Sequence, residues 1–125
     1  MSSKSANYCF ASRESPVGVL MLSEVALGTQ YKRTSAEYEA DKSCRKAKAD
    51  STWGQGKTAP HAAAATTLPG DPGLAVPLGK GTTPNPALGG KMSSLLYNEF
   101  IVYDTAQIRQ RFVLQVRFDY KASVF

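Results

Sequence analysis

Hydrophobic and polar positions divide the chain into two patterned ends and a middle with little periodicity. Residues 18–28 (GVLMLSEVALG) form a short apolar run fenced by glycines, with Pro16 just ahead of it. That length and punctuation predict a buried strand rather than a helix. Upstream, residues 2–10 predict one or two helical turns, with a serine able to cap the first free amides. At the other end, residues 107–120 alternate. Ile108, Phe112, Leu114, Val116, Phe118 and Tyr120 fall on one side, with Gln110 the exception, and Arg109, Arg111, Gln115, Arg117 and Asp119 fall mostly on the other. A period of two predicts a strand with one wet face. Residues 95–103 are apolar on both faces, so a strand covered on both sides is expected there. The short connection Asp104-Thr105-Ala106 predicts that these last two strands form an antiparallel hairpin.

The middle is punctuated rather than patterned. Residues 29–51 mix Lys32, Arg33, Lys42, Arg45, Lys46 and Lys48 with Glu37, Glu39, Asp41 and Asp50, which predicts a solvated loop or a short surface helix. Residues 58–91 hold Pro60, Pro69, Pro72, Pro77, Pro84 and Pro86 and most of the glycines. Prolines at this density withhold backbone donors and fix φ, which excludes long helices and central strands. Only residues 74–78 predict a short edge strand; the remainder reads as loop, and loops of that length are usually functional or mobile.

Composition adds limits. At 125 residues one small domain is expected, with a core that is feasible but not generous. A formal charge of +5 favours weak contact with polyanions but is too diffuse to define a nucleic-acid site. Cys9 and Cys44 are the only cysteines and have no paired spacing, so neither a disulfide framework nor a zinc site is indicated. The first ten residues lack the pattern of a signal peptide, and no stretch approaches the length of a membrane span, so a soluble, intracellular protein without membrane contact is expected.

One residue disturbs the pattern. Glu99 sits inside SLLYNEFIVYD, sharing a face with Tyr97 and Ile101 if the segment is a strand. A carboxylate there faces a cleft, or lies exposed at a sheet edge, or bridges a cation such as Arg109 or Arg111; otherwise its desolvation costs several kcal/mol. Gly56-Lys57-Thr58 invites a phosphate-loop reading, but that motif needs glycine where Ser51 stands, and the glycines after Trp53 also miss the dinucleotide-fold spacing. His61 has no acid or cysteine cluster beside it, so it reads as a loop residue and not a metal ligand.

The stretch SSLLYNEFIVYDTAQIRQRFVLQVRFDYK closely resembles the C-terminal end of the catalytic domain of the poly(ADP-ribose) polymerases, in which a Leu-Leu-Tyr-Asn-Glu-Tyr-Ile-Val-Tyr strand carries the catalytic glutamate. SKSANYC from Ser3 to Cys9 is similar to the family's helix of that sequence, residues 18–28 to its next strand, and GQGKTAP from Gly54 to Pro60 to its Gly-x-Gly-Lys-x-x-Pro loop. The four blocks stand in the family's order. They cover residues 1–125 as a partial catalytic domain, with weak likeness at 29–51 and 61–91. The resemblance implies an α+β fold: the C-terminal half of the ADP-ribosyltransferase fold, mostly antiparallel strands with a short N-terminal helix and long Pro/Gly loops.

The resemblance also implies chemistry, residue by residue. Glu99 matches the glutamate that hydrogen-bonds the 2′-hydroxyl of the nicotinamide ribose of NAD, and Ser5 and Tyr8 match the serine and the stacking tyrosine of the nicotinamide pocket. Lys4 and Tyr97 match acceptor-side residues. Taken from spacing alone, Ser5 reads as a cap, Tyr8 as a core aromatic, Lys4 as a solvated charge and Tyr97 as strand packing. Phe100 departs from the family's tyrosine at that position, a change that strand packing should survive. The implied activity is transfer of ADP-ribose from NAD to protein or ADP-ribose acceptors, without a metal, in the nucleus, with DNA contacted only through regions absent here. The family's His-Gly motif and the tyrosine before its Ser-Lys-Ser-Ala-Asn-Tyr helix have no counterparts, so the chain alone is expected to be inactive. A non-catalytic remnant and a small basic binding protein stay open as alternatives.

Overall fold

The computed structural model describes residues 2–120. In chain order its elements are α1 (Ser2–Ala6), β1 (Val17–Val25), β2 (Gln30–Arg33), α2 (Ala40–Lys46), β3 (Ser51–Gly54), β4 (Ala59–Pro60) and β5 (Ala65–Leu68). They continue with β6 (Asp71–Pro77), β7 (Gly81–Thr82), β8 (Glu99–Val102) and β9 (Ile108–Arg117). The class is α+β, as expected, with antiparallel pairing predominant. The contacts resolve the chain into two units, one of residues 2–25 and 108–120 and the other of residues 26–107.

The first unit is a two-stranded ribbon with a helical turn against it. β1 pairs antiparallel with β9 from Val17↔Arg117 to Val25↔Ile108. Leu22 pairs with Phe112 but Ser23 pairs with Gln110, so Arg111 is an extra residue in β9. This bulge shifts the phase of the strand by one position, so Ile108 and Gln110 lie together on the face opposite Phe112 and Leu114, not on one side as the alternation predicts for Ile108. Arg111 Nε donates to Glu24 Oε2 at 2.9 Å. α1 runs on into a 3-10 turn, Asn7–Cys9, that ends at Phe10 with φ +50. Cys9 Sγ donates to the Val19 carbonyl at 3.3 Å. A Cβ on Gly18 would stand 2.7 Å from that of Cys9, so glycine is what lets the turn approach β1. The expected burial does not hold. Val19, Met21, Leu22, Phe112, Val113 and Leu114 are exposed, because a ribbon two strands wide has no second layer of its own on either face.

In the second unit the residues expected to be a solvated stretch build a sheet. β2 runs parallel to β3, and β3 runs antiparallel to β8. The crossover from β2 to β3 contains α2, whose Ala40 and Cys44 are buried, Cys44 completely. Around the start of β3, Asp50 Oδ2 accepts from the Thr29 amide at 2.7 Å and Ser51 Oγ donates to the Leu27 carbonyl at 2.6 Å. Gly28 has φ +53, and Asp50 occupies the space a Cβ would need, so only glycine fits between them. β3 is the central strand, and Ser51, Thr52 and Gly54 are buried. The Pro/Gly segment makes two small antiparallel pairs, β4 with β7 and β5 with β6. The expected edge strand at 74–78 lies within β6 and its flank.

The expected hairpin of the last two strands does not form: β8 pairs with β3 and β9 with β1. The connection between them, expected as the short link Asp104-Thr105-Ala106, holds a 3-10 turn, Thr105–Gln107. Asp104 Oδ1 accepts from the Ala106 amide at 2.9 Å, and Gln107 Nε2 donates to the Ala26 carbonyl at 2.8 Å. These side-chain bonds redirect the chain away from a hairpin.

Candidate functional site

Glu99 opens β8, half-buried, directly across the ladder from Gly54, which in turn lies beside Arg33 of β2. The next register row is Lys32, Trp53 and Phe100. Successive residues point to opposite faces of a strand, so this row lies on the face away from Glu99. There, Trp53 stacks on Phe100 with ring centroids 5.7 Å apart, and Lys32 Nζ lies 5.4 Å from the Trp53 ring centre. Phe100, where the family has tyrosine, therefore packs as an aromatic. The Trp53 indole N–H is buried without an acceptor among the described residues.

The backbone ahead of Glu99 is held by an unusual arrangement. The Lys57 amide donates to the Leu95 carbonyl at 2.8 Å and the Thr58 amide to the Leu96 carbonyl at 3.0 Å, with Thr58 and Tyr97 in a parallel bridge. Two residues later Gly54 and Glu99 pair antiparallel. The two segments therefore cross at Gly56, and any Cβ there would collide with the Tyr97 backbone. At the crossing Asn98 Oδ1 accepts from the Gly56 amide at 3.0 Å, supplying the acceptor that neither ladder provides.

A second asparagine braces the first. Asn85, only 3 % exposed, donates from Nδ2 to Asn98 Oδ1 at 3.0 Å and to the Gly56 carbonyl at 2.9 Å. Its Oδ1 accepts from the Ala87 amide at 3.0 Å, capping the 3-10 turn Pro86–Leu88. Ser93 Oγ donates to the Gln55 carbonyl at 2.6 Å, and Gln55 Nε2 donates to the Ala87 carbonyl at 2.9 Å. Residues 55–56, the turn at 85–87, Ser93 and the strand of Glu99 are thus tied by buried polar bonds. The sequence reading missed these residues. Asn98 was visible only as the neighbour of Glu99, and Asn85, between two prolines, reads as an ordinary turn former.

Of the other expected site residues, Tyr97 is half-buried two positions before Glu99. Lys4, Ser5 and Tyr8 lie in the other unit, together on α1 and its 3-10 turn, with Lys4 and Ser5 exposed and Tyr8 70 % exposed. The site residues thus fall into two groups, one in each unit. A cavity of about 370 Å³ in the second unit is lined by Lys32, Arg33, Thr34, Ser35, Gln55 and Lys91 with Ala87 and Leu88, not by Tyr97 or Glu99. His61 is exposed and caps the 3-10 turn Ala62–Ala64, its Nδ1 accepting from the Ala63 amide at 3.3 Å. Among the described residues no group of three His, Cys, Asp or Glu side chains could hold a metal ion, and no helix is long and apolar enough to cross a membrane.

Comparison with known proteins agrees with the blocks quoted above. The family model of the poly(ADP-ribose) polymerase catalytic domain matches residues 1–118. The chain is 44 % identical over its whole length to poly [ADP-ribose] polymerase 1 of Gallus gallus, covering 11 % of that protein. It is 49 % identical over 97 % of its length to poly [ADP-ribose] polymerase 2-A of Oryza sativa, covering 17 % of it, and 47 % identical over the same share to poly [ADP-ribose] polymerase 2 of Arabidopsis thaliana, covering 18 % of it. The chain thus spans less than a fifth of the length of these relatives.

Proposed function

The chain belongs to the poly(ADP-ribose) polymerase catalytic-domain family, and on that premise we propose that it carries the glutamate-bearing part of an NAD-dependent ADP-ribosyltransferase site. The observation that carries this reading is the position of Glu99. It stands in SLLYNEFIVYD at the head of β8, half-buried, on a backbone fixed on one side by the Gly54 ladder and on the other by the Gly56 crossing.

In this reaction the bond between nicotinamide nitrogen and ribose C1′ breaks, the electron pair leaves with nicotinamide, and positive charge grows on the ribose. A fixed carboxylate near the 2′-hydroxyl interacts more strongly with that charge than with neutral ribose, so it lowers the barrier rather than merely binding substrate. An acceptor hydroxyl then attacks C1′ and releases its proton, which Glu99 draws off in this reading. Tyr8 offers a flat, electron-rich face to a pyridinium ring and Ser5 a hydroxyl to its carboxamide. Lys4 and Tyr97 serve the acceptor. The acceptors are proteins and growing ADP-ribose chains, and the compartment is the nucleus.

The reading also needs a histidine in a His-Gly motif and a further tyrosine. The only histidine here is His61, followed by alanine, so turnover belongs to a polypeptide that supplies those groups. In that polypeptide Glu99→Gln abolishes polymer formation while NAD binding is largely kept. Equal polymer yields from variant and parent would refute the assignment.

A further inference from the structure

We infer that Asn85 is a positioning residue for Glu99, acting through Asn98, and that the loop carrying it therefore sets how well the carboxylate is aimed. The inference rests on the reading of Glu99 as the catalytic carboxylate and adds a part that the reading does not contain. The strand of Glu99 enters its ladder immediately after the crossing with Gly56, where no backbone acceptor is available for the Gly56 amide. Asn98 Oδ1 fills that role at 3.0 Å, and it accepts a second bond from Asn85 Nδ2, also at 3.0 Å. Both lone pairs of one oxygen are thereby used, which fixes the side chain of the residue that directly precedes Glu99.

Asn85 ties both partners of the crossing at once, because its other Nδ2 proton goes to the Gly56 carbonyl at 2.9 Å. It is 3 % exposed, and its own Oδ1 is engaged with the Ala87 amide at 3.0 Å. Every hydrogen-bonding atom of that side chain is committed, so it has one orientation. A carboxylate that must meet a developing charge is sensitive to displacements well under the length of a bond, so a brace one residue away is felt in the chemical step.

The test separates the brace from simple stability. Asn85→Asp keeps the acceptor that caps Ala87 and loses both Nδ2 donors; Asn98→Asp keeps an acceptor for both donors. Amide hydrogen exchange on the 125-residue chain should rise at least tenfold at Gly56 and Glu99 in Asn85→Asp, while the amides of β2 and β3 that pair with each other keep their rates. In the longer polypeptide that turns over NAD, the same variant should lose kcat per folded molecule by about tenfold with KM for NAD nearly unchanged, and Asn98→Asp should retain the exchange protection of Gly56. Unchanged exchange at Gly56 and Glu99, or exchange raised throughout both units, overturns the inference. So does unaltered kcat in Asn85→Asp when Glu99→Gln is inactive; activity in Glu99→Gln would instead sink the assignment of the carboxylate itself.

Discussion

Gly54 stands opposite Glu99, and the space its missing side chain leaves is taken by Leu95, whose Cδ1 would lie 2.7 Å from a Cβ built there. The glutamate's neighbour across the ladder is thus a backbone, with a leucine folded over it. Gly54→Ala should destabilise the chain by about 1–2 kcal/mol, since the end of Leu95 can shift but not without loss of packing. A double-variant cycle with Leu95→Ala, followed by denaturant unfolding, should show the two changes coupled. Strict additivity would mean that Leu95 does not occupy that space.

Trp53 pairs a favourable ring contact with an unfavourable polar atom. Its indole stacks between Lys32 and Phe100, yet its N–H is buried without an acceptor among the described residues. Trp53→Phe keeps a ring and removes the stranded donor, so the change in stability should be small, within about 1 kcal/mol of zero. Trp53→Ala loses the stack as well, and should cost about 2–3 kcal/mol more in the same unfolding measurement.

The surface of α2 gives a pH response whose sign follows from one pair. Arg45 donates to Asp41 Oδ2 at 2.5 Å, and this bond holds the Asp41 carboxyl below the usual carboxylate range. A lowered folded value means that the stabilisation is full above the ordinary carboxylate value and disappears as pH falls through the folded one. The carboxyl resonance of Asp41 should therefore titrate below that of an unpaired aspartate, and Arg45→Ala should return it to the ordinary range. Because the pair is exposed, the effect on overall stability should be slight.

Purified on its own, the 125-residue chain should release negligible nicotinamide from NAD. It holds Glu99, Ser5 and Tyr8 but no His-Gly motif. Measurable release that survives Glu99→Gln would point to contamination or to a different chemistry; release that depends on Glu99 would mean that the carboxylate needs fewer partners than proposed.

Much of this was legible in the order of residues, and the gaps have physical causes. β1 announced itself through its glycine fence and β9 through its alternation, whereas the bulge at Arg111 showed only once the strands were paired. Glu99 was conspicuous because a charge among apolar neighbours is rare. β3 was not legible, since Ser-Thr-Trp-Gly carries no hydrophobic period; its strand character comes from backbone pairing on both edges with β2 and β8. The false hairpin arose because a three-residue connection looks like a turn until the side chains of Asp104 and Gln107 are seen to hold it elsewhere. Asn85 was illegible for a related reason. What its Nδ2 bonds to is more than ten residues away in either direction, and no local pattern marks such a partner.

The crossing at Gly56 has a corollary for which changes the region can absorb. Residues 54–58 are indexed to 95–99 by two rulers that run in opposite senses, one fixing Tyr97 and the other Glu99. Away from Gly54 and Gly56, a side chain there can be swapped and the rulers still agree. Inserting or deleting a single residue between Gly54 and Thr58 puts them out of phase, so this short stretch should accept variation in identity at Gln55, Lys57 and Thr58 while forbidding variation in length and holding Gly54 and Gly56 fixed.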